Sequence, residues 1–251
     1  MKSTFVILFI SVVCIKLGYS LRSDLLYQKV NVPKQVTAQV NSGSGPEVRI
    51  VKPEDEKIFA WDSQVEYSIS VSDPKDGDSK YGEINPNQTL LEVTYMPITP
   101  GKAMAENIKM VKSKREDMGL TLMKSSTCFG CHGDKTKVAG PSFEELGKKY
   151  AYNAATLKSL ANHILKGSTG VWGNLEMPSH PDFSVTEAMQ MAGYMVKEGK
   201  NKNNCVYPGL EGVLRVRAKP ETTTQALYVL TASYTSKSKL RGQHSIVLKI
   251  K

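Results

Sequence analysis

The chain has 251 residues, 40% hydrophobic and 23% charged, a composition that excludes disorder throughout and a length that leaves room for more than one small domain. The formal net charge is +9 at pH 7, but the lysines are spread along the chain and are not interleaved with aromatic residues, so nucleic-acid binding is not predicted. The positive charge favours acidic partners or anionic surfaces instead.

The first 20 residues have the pattern of a secretory signal peptide. A lysine precedes an uncharged apolar run at residues 5–15, and small residues stand before the expected cleavage point. The run is short for a membrane span, and Val13 occupies the position where lipid attachment at Cys14 needs a small residue. We therefore expect a cleaved signal at residues 1–20 and an exported protein with no transmembrane segment after cleavage. An uncleaved anchor or a buried helix is the alternative.

The next three segments differ in composition. Residues 21–46 are polar and end in a Gly/Ser-rich run, as expected of a tether with a flexible joint. Residues 47–97 are predicted to be a β domain, because residues 64–71 alternate between polar and apolar with period two. Residues 98–118 are strongly charged, and this pattern predicts a linker or a solvated helix.

Residues 119–200 change to helical periodicity, and residues 205–251 return to a β pattern. Three short strands are marginally stable alone, so we expect the last segment to pack on the helical domain or on the β domain. The predicted strands lie at residues 48–51, 64–71, 90–95, 213–217, 226–234 and 245–250. The predicted helix N-caps are Ser142, Asn153 and Ser184, and the predicted C-terminal stops are Gly167 and Gly199.

The residues with the clearest chemistry form a Cys-x-x-Cys-His motif at Cys128, Cys131 and His132. Two thiols at this spacing can add to the two vinyl groups of one haem, and the adjacent histidine can then bind the iron. A zinc site would need four ligands, and Cys205 with a stray histidine completes one poorly. A thioredoxin-like site would need a βαβ context, which is absent. The motif therefore predicts one covalently attached haem c with its iron.

The second axial ligand remains open from the residues alone. The candidates downstream are His163, His180, His244 and several methionines. Met177 lies in a predicted loop before Pro178, with His180 close by as its main rival. A methionine chosen without further evidence is more often core filling than a ligand.

The helical segment resembles the small bacterial cytochromes c of the c-551/c-552 type, and Met177 lies 45 positions after His132, as in that family. The shared stretches are residues 128–132, 137–142, 164–167, 170–173 and 177–178. The resemblance implies that Met177 is the sixth iron ligand, that the Pro141 carbonyl orients His132, and that Trp172 lies near a haem propionate.

The flanking segments are similar to parts of large exported proteins of Bacteroidetes-type bacteria. Residues 67–77 resemble the PKD/Ig-like β domain that precedes a cytochrome c in those proteins, and residues 228–235 resemble their C-terminal strands. Many of those proteins begin with a β-propeller sugar dehydrogenase, which this chain lacks. The expected fold is multidomain, with a small all-α cytochrome c domain at 119–200 flanked by β-rich (Ig/PKD-like) segments at 47–97 and 205–251.

With both axial positions filled, the iron could only change its oxidation state, so we expect an electron carrier in the periplasm and not an enzyme. The expected partners are redox proteins: an exported dehydrogenase, an oxidase or another cytochrome. One alternative is a non-catalytic module that binds polysaccharide or protein, and another is a haem enzyme or gas sensor with a labile Met177. Five lysines lie near the motif in sequence: Lys124, Lys135, Lys137, Lys148 and Lys149. They either form a basic docking rim for an acidic partner or are simply solvated.

Overall fold

The computed structural model describes residues 45–98 and 104–251. The predicted signal peptide at 1–20 and all but the last two residues of the predicted tether at 21–46 lie outside these ranges. The described strands are β1 (Glu47–Lys52), β2 (Ile58–Phe59), β3 (Gln64–Asp73), β4 (Gly77–Asp78), β5 (Thr89–Pro97), β6 (Asn204–Pro208), β7 (Glu211–Arg215), β8 (Ala226–Thr235) and β9 (Arg241–Ile250). The described α-helices are α1 (Met104–Lys112), α2 (Met118–Lys124), α3 (Phe143–Lys149), α4 (Ala154–Lys166) and α5 (Val185–Lys200).

The strands form two sheets that face each other across an apolar core. In the first sheet, β3 pairs with β1, β4 and β7; in the second, the order is β2-β9-β8-β5-β6. All pairs are antiparallel except the short β2–β9 pair. Alternate residues of β3, among them Val65 and Ile69, are buried against residues such as Leu91 and Leu230 of the second sheet. This alternation is the period-two pattern of a strand with one buried face.

The helices are inserted between two strands that are neighbours in the second sheet. Strand β5 precedes α1, strand β6 follows α5, and the two strands pair from Leu90↔Pro208 to Thr94↔Asn204. Strands β7, β8 and β9 then complete sheets that β1, β3 and β5 began. The β-rich segments at 47–97 and 205–251 thus share both sheets, because each supplies strands that the other needs for pairing.

Strand β8 is buried on both faces, which is unusual for a strand in an antiparallel sheet. One face, including Tyr228 and Leu230, points into the core between the sheets. The other face includes Leu227 and Val229, which pack in a separate cluster with Ile108 of α1. The helical layer therefore covers the outer face of the second sheet.

Helix α1 falls within the segment that we expected to be a linker or a solvated helix. It is a helix, but Met104 and Ile108 are buried against the second sheet. The prediction of a solvated helix was therefore wrong for the face of α1 that carries these two residues, because they cover residues of the sheet that would otherwise be exposed to water.

The predicted helix starts are confirmed. Ser142 and Ser184 each form a reciprocal capping box, with Glu145 and Glu187 as partners, and Asn153 accepts the backbone N–H of Thr156. These contacts satisfy N–H groups that have no partner inside the helix. Among the described residues, no helix is both long and apolar enough to cross a membrane.

The predicted helix stops are confirmed at one position and wrong at the other. Gly167 follows α4 with φ of +78°, whereas α5 continues through Gly199 and ends at Lys200, with Asn201 as its C-cap. A Cβ atom at Gly199 would overlap the carbonyl oxygen of Phe143 in α3. This glycine is therefore needed for the close contact of two helices and does not end one.

Candidate functional site

A cavity lies in the helical domain between α3, α4, α5 and the loop that joins the last two. The empty space is about 890 Å³, part of it open solvent. Much of its wall is apolar: Leu146, Leu160, Ile164, Ala192, Met195 and Val196. An apolar wall of this kind suits a large, flat, mostly hydrophobic cofactor.

The Cys-x-x-Cys-His motif forms a tight turn beside this cavity. Residues Cys128–Gly130 are a 3₁₀ turn, and the N–H groups of Cys131 and His132 donate to the carbonyl oxygen of Cys128 at 3.1 and 2.9 Å. Both thiols are free and partly buried. Burial raises the pKa of the Cys128 thiol above its ordinary value. The turn therefore presents two thiols and one imidazole within five residues.

The ring of His132 is buried and held in a defined orientation. Its Nδ1 atom lies 2.7 Å from the carbonyl oxygen of Pro141. A carbonyl oxygen only accepts, so the neutral ring carries its proton on Nδ1 and keeps a free electron pair on Nε2. Burial lowers the pKa of His132, although the bond to Pro141 opposes this effect. A neutral imidazole with a free Nε2 is the form that binds a metal.

The loop between α4 and α5 places Met177 by backbone contacts. Its N–H donates to the Ser168 carbonyl at 2.9 Å, and its own carbonyl accepts the Ser168 N–H at 3.1 Å. The positive φ of Gly167 allows the chain to turn here, and a Cβ at Gly167 would lie 2.7 Å from the Met177 carbonyl oxygen. Met177 lines the same cavity as His132.

The indole of Trp172 lines another part of the cavity wall. It makes an edge contact with Tyr150 at 6.3 Å between ring centroids, and the Nζ of Lys149 lies 4.3 Å from its ring centroid. These contacts connect the loop to the end of α3.

Five of the six residues predicted for the site line the cavity together: Cys131, His132, Pro141, Trp172 and Met177. The sixth, Cys128, shares the turn with Cys131 and His132 and packs against the helical core. Of the rival ligands, His163 and the methionine Met195 also line the cavity. The ring of His180 packs on Phe183, and His244 accepts the N–H of Ile50 in the β region.

Sequence reasoning missed Gly140 and misplaced Lys124. A Cβ at Gly140 would lie 2.6 Å from Cε1 of His132, so the bond to Pro141 depends on a glycine at this position. Its place directly before Pro141 was the available signal. Lys124 cannot belong to a basic rim because its side chain is 2% exposed and pairs with Glu116. Its long-range partners could not be read from local sequence.

Comparison with known proteins identifies the helical domain. Residues 117–197 match the family model described as cytochrome c. Cytochrome c-552 of Nitrosomonas europaea is 36% identical over 75 residues, which are 30% of this chain and 73% of that protein. Cytochrome c-551 of Azotobacter vinelandii is 38% identical over 80 residues, 32% of this chain and 96% of that protein.

Among solved structures, the chain is similar to the crystal structure of wild-type Nitrosomonas europaea cytochrome c552. The two are 34% identical, the match covers 32% of this chain and 98% of that chain, and the TM-score is 0.30. The curated relatives are small electron-transfer cytochromes that bind one covalent haem c with its iron. The sheets lie outside the matched range. Through its inserted helical domain, the chain belongs to the cytochrome c family.

Proposed function

We propose that this protein is a periplasmic electron carrier whose haem is attached through Cys128 and Cys131 and whose iron is bound by His132 and Met177. One observation carries the proposal: His132, with its ring held by Pro141, lines the same cavity as Met177. The remaining wall is mostly apolar, and the thiols stand on the turn that holds His132.

Different residues of the chain have different proposed roles in holding the cofactor. A bound haem c accepts or releases one electron at its iron. The thiols of Cys128 and Cys131 would hold the porphyrin covalently, and the Nε2 of His132 and the sulfur of Met177 would bind the iron. Pro141 keeps the proton of His132 on Nδ1, so the ring binds as a neutral ligand. The apolar wall excludes water and, with a methionine ligand, favours a relatively high reduction potential.

This ligand set favours electron transfer over catalysis or gas sensing. The two side chains that would bind the iron stand on backbone segments held by hydrogen bonds, His132 in its turn and Met177 through Ser168. A substrate or a diatomic gas would have to displace one of them. The proposed role is therefore to pass electrons between other redox proteins.

The surface near the cavity supports docking of such partners. Val138, Val171 and Leu175 are exposed, Leu175 by 68%. Lys137 and Lys149 are also exposed; Lys137 is the sequence neighbour of Val138, and Nζ of Lys149 donates to the Val171 carbonyl at 3.5 Å. Mixed apolar and basic surfaces suit brief association with an acidic partner. We propose an exported dehydrogenase, an oxidase or another cytochrome as that partner, with the Ig/PKD-like sheets as a support for the haem domain.

The test is the optical spectrum of full-length protein exported with the c-type haem maturation machinery, oxidised and reduced, beside Met177→Ala. We expect a low-spin c-type spectrum whose Met–Fe(III) charge-transfer band disappears in Met177→Ala and persists in Met110→Ala, an exposed methionine of α1. The reduced unmutated protein should not bind carbon monoxide. Absence of covalent haem would refute the proposal, and a high-spin spectrum would indicate a haem enzyme or sensor.

A further inference from the structure

A buried ion pair lies just before the residues that carry the haem motif, residues 128–132, here named the attachment segment. Lys124 ends α2, and its Nζ lies 2.9 Å from Oε2 of Glu116 and 3.2 Å from Oγ of Ser233 on β8. Nε of Arg241 on β9 donates to the same carboxylate at 3.0 Å. The side chains of Lys124 and Glu116 are 2% and 3% exposed. Because buried charges are stable only when paired, this end of α2 is held to the second sheet.

A second buried contact lies just after the attachment segment. Asp134 is 4% exposed, and its Oδ2 accepts the N–H of Val206 on β6 at 2.8 Å. Strand β6 is at the edge of the second sheet, where backbone groups that do not pair with a neighbouring strand need another partner. Asp134 supplies that partner, so the chain two residues after His132 is also held to the second sheet.

Apolar side chains fill the interface between these two contacts. Leu90 of β5 and Val206 of β6 belong to the same buried cluster as Leu120 and Met123 of α2. Phe129, which lies inside the attachment segment, is part of this cluster. A close-packed apolar interface has discrete arrangements and resists sliding. The two polar contacts therefore join the attachment segment to a rigid surface.

We infer that Lys124 and Asp134 are positioning residues through which the second sheet holds both ends of the attachment segment. This inference rests on the proposed attachment of haem at Cys128 and Cys131. The contacts belong to this chain and not to the matched cytochrome region, because Glu116, Val206, Ser233 and Arg241 all lie outside residues 117–197. The sheets thereby take part in setting where His132 and the two thiols stand beside the cavity.

The test uses the full-length haem-loaded protein and amide hydrogen exchange within the attachment segment. Asp134→Ala removes the acceptor for Val206, whereas Asp134→Asn keeps an oxygen in its place; Lys124→Met removes the ammonium but keeps the length. We expect Asp134→Ala and Lys124→Met to speed exchange at the Cys131 and His132 amides by about tenfold or more, since each loses a buried polar contact. The reduction potential should shift in the same two variants.

Two variants serve as controls. Asp134→Asn should exchange within about twofold of the unmutated protein, because a neutral oxygen still accepts the Val206 N–H. Glu144→Gln breaks an exposed ion pair with Lys148 and should leave exchange in the attachment segment and the potential unchanged, since exposed pairs contribute little.

Faster exchange confined to β6, with exchange at residues 128–132 unchanged, would overturn the inference. Asp134 would then only supply a hydrogen-bond acceptor to the edge strand. If Asp134→Ala and Lys124→Met do not fold, Ser233→Ala removes one smaller contact to Lys124. It should still speed exchange in the attachment segment, and unchanged exchange there would equally overturn the inference. Absence of covalent haem from the unmutated protein would instead refute the proposed function.

Discussion

The Nδ1 atom of His132 and the carbonyl oxygen of Pro141 lie 2.7 Å apart, and the imidazole reaches this position by passing over the bare backbone of Gly140. A Cβ atom at Gly140 would come within 2.6 Å of Cε1 and 3.0 Å of Nδ1 of His132. The orientation of the proposed iron ligand is therefore set by a backbone acceptor on one residue and by the absence of a side chain on its neighbour.

The first prediction concerns Gly140→Ala. The added methyl group should push the His132 ring away from Pro141, weaken the iron–histidine bond and reduce low-spin haem in spectra of the exported protein. Gly130→Ala is the matched control in the same loop region, because a Cβ at Gly130 meets nothing within 4 Å. Equal spectra for the two variants would show that the His132–Pro141 geometry is not required.

The second prediction compares two glycines of α5. Gly199→Ala should lower the free energy of unfolding by about 1–3 kcal/mol, because the new Cβ overlaps a backbone oxygen of α3 that cannot rotate away. Gly193→Ala should raise it by about 0.5–1 kcal/mol, because its Cβ would make ordinary contacts of 3.7 Å and alanine is the better helix former. Urea denaturation of both variants measures the difference, and the same sign for both would contradict the prediction.

The third prediction concerns the interface between the sheets and the helices. Leu90→Ala should cost about 2–5 kcal/mol, because Leu90 is fully buried in the helical cluster although it belongs to a strand. Val213→Ala on β7, where the side chain is 51% exposed, should change stability by less than about 0.5 kcal/mol. Melting followed by haem absorbance and by far-ultraviolet circular dichroism should shift together for Leu90→Ala. A shift seen only by circular dichroism would contradict the coupling.

The fourth prediction is a pH dependence at Glu116. Burial alone would raise the pKa of its carboxyl, but the charges of Lys124 and Arg241 and hydrogen bonds from Lys124 and Thr121 outweigh burial and hold the pKa below its ordinary value. A carboxyl with a lowered folded-state pKa stabilises the fold above its unfolded pKa of about 4.3. That contribution is lost as the pH falls through the lower, folded-state pKa.

Glu116→Gln should therefore be less stable than the unmutated protein by on the order of 3 kcal/mol at neutral pH. The gap should narrow as the pH falls below about 4.3, since the carboxyl takes up a proton first in the unfolded chain and, at the lower folded-state pKa, also in the folded protein. Urea denaturation at neutral and acidic pH measures the gap, with Glu144→Gln as the exposed control. A gap of constant size at both pH values would contradict a role for the Glu116 charge.

Much of the candidate site was predictable because its information is local. The spacing of Cys128, Cys131 and His132 defines one turn, and the capping boxes at Ser142 and Ser184 each depend on four consecutive residues. The choice of Met177 over the histidines was not local. It came from a resemblance and stays a prediction, because the structure places His180 against Phe183 but has His163 line the cavity together with Met177.

The sequence by itself therefore determined the cofactor motif, the helix starts and six of the nine described strands, since each depends on neighbours within a few positions; β2, β4 and β6 were not predicted. Only the tertiary structure decided how the parts combine. Strands β5 and β6 pair across the inserted helices, and Lys124 is buried because Ser233, 109 residues away, lies beside it. Such contacts leave no local pattern, because the free energy of burying a charge depends on which distant groups the fold brings to it.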